Sequence, residues 1–248
     1  MNTNIGGSII QMLAPTIPTG ARSGRKLKSI VGVTIHNTGN SAKGAGAISH
    51  GRYLQGTGKD KKASWHYAVD DKNIVQSIPE NEVAWHAGDG NGNGNMATIG
   101  IEICMNPDSD LRVATDKAAF LTADILKRHN LKLIQVFQHN HWSGKNCPQM
   151  LRAGKPYSWQ TFIEKVEDAM SIGDIDNKVK AKFGFSDSTM EYLNSHPYSK
   201  DLYEKLLAPK SLKETIQCMY GFSDGTIEYL YNYKYGRELL ERLLGGVK

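Results

Sequence analysis

The chain has 248 residues, 30 Lys and Arg against 25 Asp and Glu, a formal net charge of +5 and 40% apolar residues. That is enough to bury a core without staples, as one large domain or a medium domain plus a small one, and three cysteines cannot all pair, so at least one is free or metal-bound. No run of 18 apolar residues offers a membrane helix, and the basic excess is too small and scattered for a nucleic-acid reader.

From the N-terminus, Met1 to Gly20 mixes Asn, Gly, Gln, Pro and Thr with no basic stretch before an apolar segment. A cleavable export signal is therefore not expected, and the chain reads as made in the cytoplasm. The dense basic runs, Arg22 to Lys28 and Lys59 to Lys62, read as solvated loops. Residues 1–172 hold 19 basic and 14 acidic side chains and residues 173–248 hold 11 of each, so the whole excess sits in the first part, where it draws a polyanion or an anionic wall modestly.

Ile30 to Ile35 alternates and is β-branched, which predicts a strand. Ser64 to Asp70 and Asn73 to Ile78 flank an Asp71-Lys72 turn as a hairpin, and Ile99 to Met105 alternates again. Helical spacing runs through Ala118, Leu121, Ile125 and Leu126 within Ala114 to His129, and through Phe162, Ile163 and Val166 within Trp159 to Met170. The first 170 residues thus predict an α/β fold, a mixed sheet flanked by helices.

Strand parity sorts the chemistry. Val31, Val33 and Ile35 share one face and leave Thr34 and His36 on the other; Ile99, Ile101 and Ile103 do the same and leave Gly100, Glu102 and Cys104 opposite. If the second face is common to both strands, His36 and Glu102 look into one groove; otherwise they are outward polar residues of a half-exposed sheet. The segment His139 to Pro148 places a histidine and Cys147 around a Ser-Gly turn, and with His36 they supply an N, N, S⁻ donor set suited to zinc, with one position left for water. His139-Asn140-His141 is too contiguous for the three spread residues of an HNH nuclease.

Trp85 and His86 follow the hairpin, where an aromatic lines a sugar or peptide groove or packs in the core. Gly88 to Asn95 reads as a flexible loop with no convincing helix start after it, His66 as a hydrogen-bonded structural histidine, His129 as a cation closing a helix, and Cys104 and Cys218 as packed residues.

The tail repeats itself. Gly184-Phe185-Ser186-Asp187 recurs as Gly221-Phe222-Ser223-Asp224, and 13 of 25 aligned positions are identical at an offset of 37. Each unit predicts a helix capped by Ser or Asp and a second carrying Leu202, Leu206 and Leu207, or Leu239, Leu243 and Leu244. Neither unit alone buries its apolar stripe, so the two are expected to pack as one small all-α module, with self-association open. Domains are expected at 1–172 and 178–248, joined through 173–177. The tyrosine-rich composition of the module suits a carbohydrate surface or a helical interface.

Thr34-Ile35-His36-Asn37-Thr38, Ala84-Trp85-His86-Ala87-Gly88, Ile99-Gly100-Ile101-Glu102-Ile103-Cys104 and His139-x-x-Trp142-Ser143-Gly144-Lys145-x-Cys147-Pro148 occur in that order. Over about residues 28 to 168 the chain resembles the zinc-dependent N-acetylmuramoyl-L-alanine amidases of the type 2 group, relatives of phage amidases and peptidoglycan recognition proteins. The resemblance implies a peptidoglycan-recognition-like sheet fold and cleavage of the amide between N-acetylmuramic acid and the L-alanine of the stem peptide. It implies Zn²⁺ held by His36, His139 and Cys147, with His141 only a neighbour, Glu102 handling the proton of the water, and Lys145 stabilising the oxyanion. Trp65, Trp85 and His86 are the candidate substrate contacts. A tyrosine that some relatives carry before the hairpin histidine is Trp65 here. With the C-terminal repeats, the whole resembles an endolysin whose module binds the bacterial cell wall after holin-dependent release. The other readings are a non-catalytic wall-binding protein on the same scaffold, against which the complete His, His, Cys set argues, and a regulator whose repeats bind protein.

Overall fold

In the computed structural model, described for residues 8–194, 202–203 and 223–232, the β-branched and alternating segments form a six-stranded mixed sheet. Its strands are β1 (Ile10–Gln11), β2 (Gly32–Asn37), β3 (Tyr67–Val69), β4 (Ile74–Gln76), β5 (Thr98–Ile103) and β6 (Val136–Gln138), in the order β1-β4-β3-β5-β2-β6. The β3–β4 hairpin is antiparallel and every other pairing is parallel. The helices are α1 (Ala47–Gln55), α2 (Asn93–Ala97), α3 (Leu111–Arg128), α4 (His139–Ser143), α5 (Gln149–Arg152), α6 (Trp159–Phe183) and α7 (Asp187–Asn194), with a further helix at Asp224–Asn232.

Parity in the strands sets the layers. Val33, Ile35, Ile99, Ile101 and Ile103 are fully buried on one face against Ala118, Leu121, Ile125 and Leu126 of α3 and Phe162 and Val166 of α6. Each such aliphatic side chain contributes about 1.5–3 kcal/mol by leaving water. Helix α3 begins three residues earlier than its apolar spacing suggests, because Asp110 accepts hydrogen bonds from the Arg112 and Val113 amides at 2.8 and 3.2 Å.

Two elements absent from the sequence reading are set by partners far along the chain. Helix α1 starts after Gly46, which has no capping side chain; the carboxylate of Asp70, in the hairpin turn, accepts from the Ala47 amide at 2.7 Å. The same carboxylate accepts from Lys72 and Asn73, so one residue shapes the turn and starts a helix. Strand β6 has three residues, too short to show alternation, and exists because it docks in parallel on β2.

Residues 173–177, expected as a join, lie inside α6, which runs 25 residues without interruption. Gly173 alone is too weak a breaker to stop a helix, and no proline occurs between it and Gly184. The helix ends at Gly184, whose φ of 66° is left-handed backbone that glycine adopts without strain. Beyond it, Ser186 accepts from the Thr189 amide and Ser223 from the Thr226 amide, each at 3.2 Å, so both repeats open a helix with the same cap. Val179, Met190 and Tyr203 are buried together beside Phe185 and Leu193. The expected packing of the two units, their second helices beyond Leu202 and Tyr203, and self-association fall outside the described residues.

One polar cluster braces the far end of α3. Glu80 accepts from Arg128 through two bonds of 2.7 Å, from Tyr67 at 2.7 Å, and pairs with His129 at 2.8 Å. Burial pushes its carboxyl up, but the Arg128, His129 and Tyr67 bonds outweigh that and hold it at about 2. Because the folded value lies below the ordinary one, the cluster's stabilisation is present above about pH 4.5 and is lost as the pH falls toward 2. Glu80→Gln is expected to lower stability at pH 7 by about 2 kcal/mol and to flatten its decline between pH 4.5 and 2, read by urea unfolding across that range. An equally steep acid decline in the variant would refute this assignment.

Candidate metal centre

Strands β5, β2 and β6 lie side by side and parallel, so their carboxyl ends open on the same edge of the sheet. That edge is where parallel sheets present ligand sites. His36 pairs in register with Glu102, and Ile35 pairs with Gln138, which puts His139 one step beyond the end of β6. The groove suggested by parity is therefore formed by strand register, with both residues on the face away from the α3–α6 core.

Cys147 is delivered by a stapled loop. Gly144 turns α4 back with a φ of 73°, the Asn140 side chain donates to the carbonyls of Gly144 and Lys145, and the Asn140 amide donates to the Cys147 carbonyl at 2.9 Å. Asn37, next to His36, accepts from the Met150 amide at 2.9 Å and ties the incoming chain to β2. Trp142 donates its indole N–H to Thr34 at 2.9 Å, which seats α4 on the polar face of β2.

The result is three buried donors around one point. His36 Nδ1 lies 3.0 Å from His139 Nδ1 and 3.9 Å from Cys147 Sγ, and the ligand atoms of all three fall within 4.8 Å of one another. Glu102 reaches in from the side, its Oε1 at 3.9 Å from His36 Nδ1. Burial holds the His36 imidazole well below its usual range, with His86, His139 and Lys145 acting in the same direction; burial and then Lys145 lower His139. Both rings are thus neutral near pH 7, as ligation of a cation requires. Burial pushes the Glu102 carboxyl up to about 7 against the pull of Lys145, and burial with Glu102 pushes the Cys147 thiol up to about 11.

A divalent cation fits this donor set. Two neutral imidazoles and one sulfur at such separations suit zinc, and the two Nδ1 atoms face each other at 3.0 Å. If both Nδ1 lone pairs serve a cation, His139 carries its proton on Nε2, on the ring edge beside Gly88. Among the described residues, this is the one set of three such side chains close enough to share an ion.

Of the remaining sequence candidates, Lys145 is exposed at the rim and acts electrostatically on His36, Glu102, His139 and Cys147. His141 is exposed and stacks on Phe137, outside the cluster. Trp65 lies against Tyr53, the rings nearly parallel and 6.4 Å apart, in the wall of a cavity of about 290 Å³ that also reaches Thr38, His50 and Glu102. Trp65 Nε1, Thr38 Oγ1 and Glu102 Oε2 are buried there without hydrogen-bond partners.

The other two candidate contacts lie apart from that cavity. Trp85 is half-buried; its ring carries the Lys62 ammonium 4.2 Å from its centroid, and its backbone joins Ser64. His86 is buried behind His36, with its Nδ1 3.0 Å from His36 Nε2, because Asn95 accepts from the His86 and Ala87 amides and holds that turn under β2 and β5. The glycine-rich loop is likewise more than a flexible connection. Asp89 accepts from the Gly94 and Asn95 amides, and α2 starts there. The signal was present in the sequence as an Asp five and six residues before those amides, but nothing local distinguishes it from an ordinary loop. His66 does lie in a structural network, accepting from the Gly100 amide at Nδ1 and donating from Nε2 to the Glu82 carbonyl.

Comparison with known proteins supplies independent findings. The family described as N-acetylmuramoyl-L-alanine amidase matches residues 26–150. The chain is 46% identical over 156 residues to the N-acetylmuramoyl-L-alanine amidase XlyA of Bacillus subtilis (strain 168), covering 62% of this chain and 50% of that protein. The solved catalytic domain of XlyA superposes with a TM-score of 0.59 at 43% identity, covering 64% of this chain and 99% of that domain. A mutant endolysin from Bacillus subtilis gives a TM-score of 0.59 at 45% identity, covering 64% of this chain and 98% of that one. The chain spans about half the length of the curated relatives it matches.

Proposed function

Since the chain belongs to the N-acetylmuramoyl-L-alanine amidase family, we propose that it is a zinc-dependent peptidoglycan hydrolase of the endolysin kind. Its reaction is hydrolysis of the amide between the lactyl group of N-acetylmuramic acid and the L-alanine of the stem peptide. The observation that carries this reading is the convergence of His36, His139 and Cys147 beside Glu102 at the carboxyl ends of β2, β6 and β5.

His36, His139 and Cys147 would hold the cation. When bound, zinc supplies Lewis acidity, which acidifies water and polarises a carbonyl. Glu102 takes a proton from the attacking water and returns it to the leaving nitrogen; its buried carboxyl, shifted to about 7, suits a group that must do both near neutrality. The C–N bond breaks, leaving a carboxylate on the lactyl group and an amine on alanine. Lys145 presents its ammonium to the oxygen on which negative charge develops. Trp65 and Thr38 line the cavity beside Glu102, and their indole N–H and hydroxyl lack hydrogen-bond partners, which supports this cavity as the place where a glycopeptide would lie.

In this reading residues 1–172 form the catalytic part and residues 178–248 hold the protein on the wall. The described structure contains no helix long and apolar enough to cross a membrane. Synthesis in the cytoplasm and holin-dependent delivery to the wall complete the endolysin proposal.

Purified cell walls treated with zinc-loaded protein are expected to gain new N-terminal L-alanine, scored by amine labelling and hydrolysis, without gaining reducing sugar ends. New reducing ends with no new alanine amine would overturn the proposal in favour of a glycan-cutting enzyme.

A further inference from the structure

We propose that His86 is a positioning residue that fixes the tautomer of His36 and so keeps the Nδ1 lone pair of His36 turned toward His139 and Cys147. This rests on the metal reading above and adds a residue that the reading does not use.

One group in this chain of bonds has a fixed polarity. The Thr98 carbonyl only accepts, so His86 Nε2, 3.3 Å away, carries its proton. A neutral His86 with a proton on Nε2 has a lone pair on Nδ1. That lone pair meets His36 Nε2 at 3.0 Å, so His36 Nε2 is the donor. His36 Nδ1 is then the bare nitrogen, and it is the one that faces His139 Nδ1 at 3.0 Å and Cys147 Sγ at 3.9 Å. An unconstrained imidazole divides between two tautomers, one of which buries an N–H where a ligand atom is needed. Ligating histidines ordinarily donate their second nitrogen to a carboxylate, carbonyl or water; here another imidazole relays that bond to a carbonyl.

The surroundings hold the His86 ring in this role. A Cβ on Gly100 would lie 2.7 Å from His86 Cγ, so the bare glycine in β5 is what lets the ring sit against the sheet. The Asn95 side chain anchors the His86 and Ala87 amides at 2.8 and 2.7 Å, and Asp89 anchors Asn95 in turn. His66, whose ring meets that of His86 edge-on at 5.8 Å, has both nitrogens engaged by Gly100 and Glu82, so it does not compete for the His86 nitrogens.

The first test needs no variant. In the metal-free wild-type protein, ¹⁵N-resolved NMR of the assigned imidazoles is expected to show His36 and His86 both with the proton on Nε2. A proton on His36 Nδ1 would overturn the proposal. In the second, His86→Phe keeps a ring but removes the acceptor, and zinc affinity by chelator competition is expected to fall about 10- to 100-fold. His86→Gln supplies an amide oxygen toward His36 and an N–H toward Thr98, and is expected to recover most of that loss. If His86→Phe binds zinc within twofold of a zinc-binding wild type, the role of His86 is overturned alone. If the wild type binds no zinc, the metal reading fails and takes this role with it. Should His86→Phe fail to fold, the wild-type tautomers still decide.

Discussion

Replacing Cys147 with serine is expected to strip zinc from the protein and bring amide hydrolysis down to background. The reason lies in the donor, not in volume. Serine is nearly the same size, so a buried position packed between Asn37 and the end of α4 tolerates it sterically. A hydroxyl, however, does not ionise near neutral pH and offers a hard oxygen where zinc favours sulfur. The loss in affinity is expected to exceed the roughly 10–100-fold cost of removing a mere outer partner of a ligand. Metal content by mass spectrometry and release of alanine amines from walls are the two readouts, and stoichiometric zinc with unchanged turnover would end the mechanism. Cys104→Ser is the matched control. Cys104 is equally buried, but it sits among Ala47, Ala68 and Val75 and contributes no donor to the cluster, so zinc and turnover are expected to stay near wild type.

Glu102→Ala separates binding of the metal from use of it. Glu102 is not one of the three converging donors, and its Oε2 has no partner in the protein, so its removal leaves the ligand set standing. The variant is expected to retain zinc and lose roughly 10²- to 10⁴-fold in kcat, which corresponds to about 2.7–5.4 kcal/mol of transition-state stabilisation. KM is expected to change far less, because the carboxylate's contribution arises as the proton moves. Turnover within a few fold of wild type at full zinc occupancy would assign the proton transfer elsewhere. The contrast between the two variants is diagnostic: one loses metal and rate together, the other loses rate alone.

The sheet and the face of each strand were legible because β2 and β5 carry a period of two with strongly apolar members, and that period alone puts His36 and Glu102 opposite the core. What parity does not specify is which strands are neighbours. The pairing of His36 with Glu102, and the docking of β6 that brings His139 alongside, are long-range facts of register. The start of α1 was hidden for a similar reason, since its cap comes from Asp70, 23 residues away. His86 was legible as a residue of interest but not as to its purpose. An aromatic-histidine pair after a hairpin looks like a groove wall, and only the Asn95 anchor and the space above Gly100 turn it inward. The Lys62 ammonium over Trp85 was not legible either, because a contact between residues 23 apart leaves no local pattern.

Because α6 runs through residues 173–177 without a break, α7 is reached along a helical shaft and not through a loop. An α-helix advances about 1.5 Å and rotates about 100° per residue. A single amino acid inserted there would barely change the reach of α7 but would swing it about a quarter-turn around the shaft. Seven inserted residues, close to two whole turns, would push it outward by about 10 Å and leave its bearing nearly as before. Engineered fusions at this joint are therefore governed by phase first and by length second.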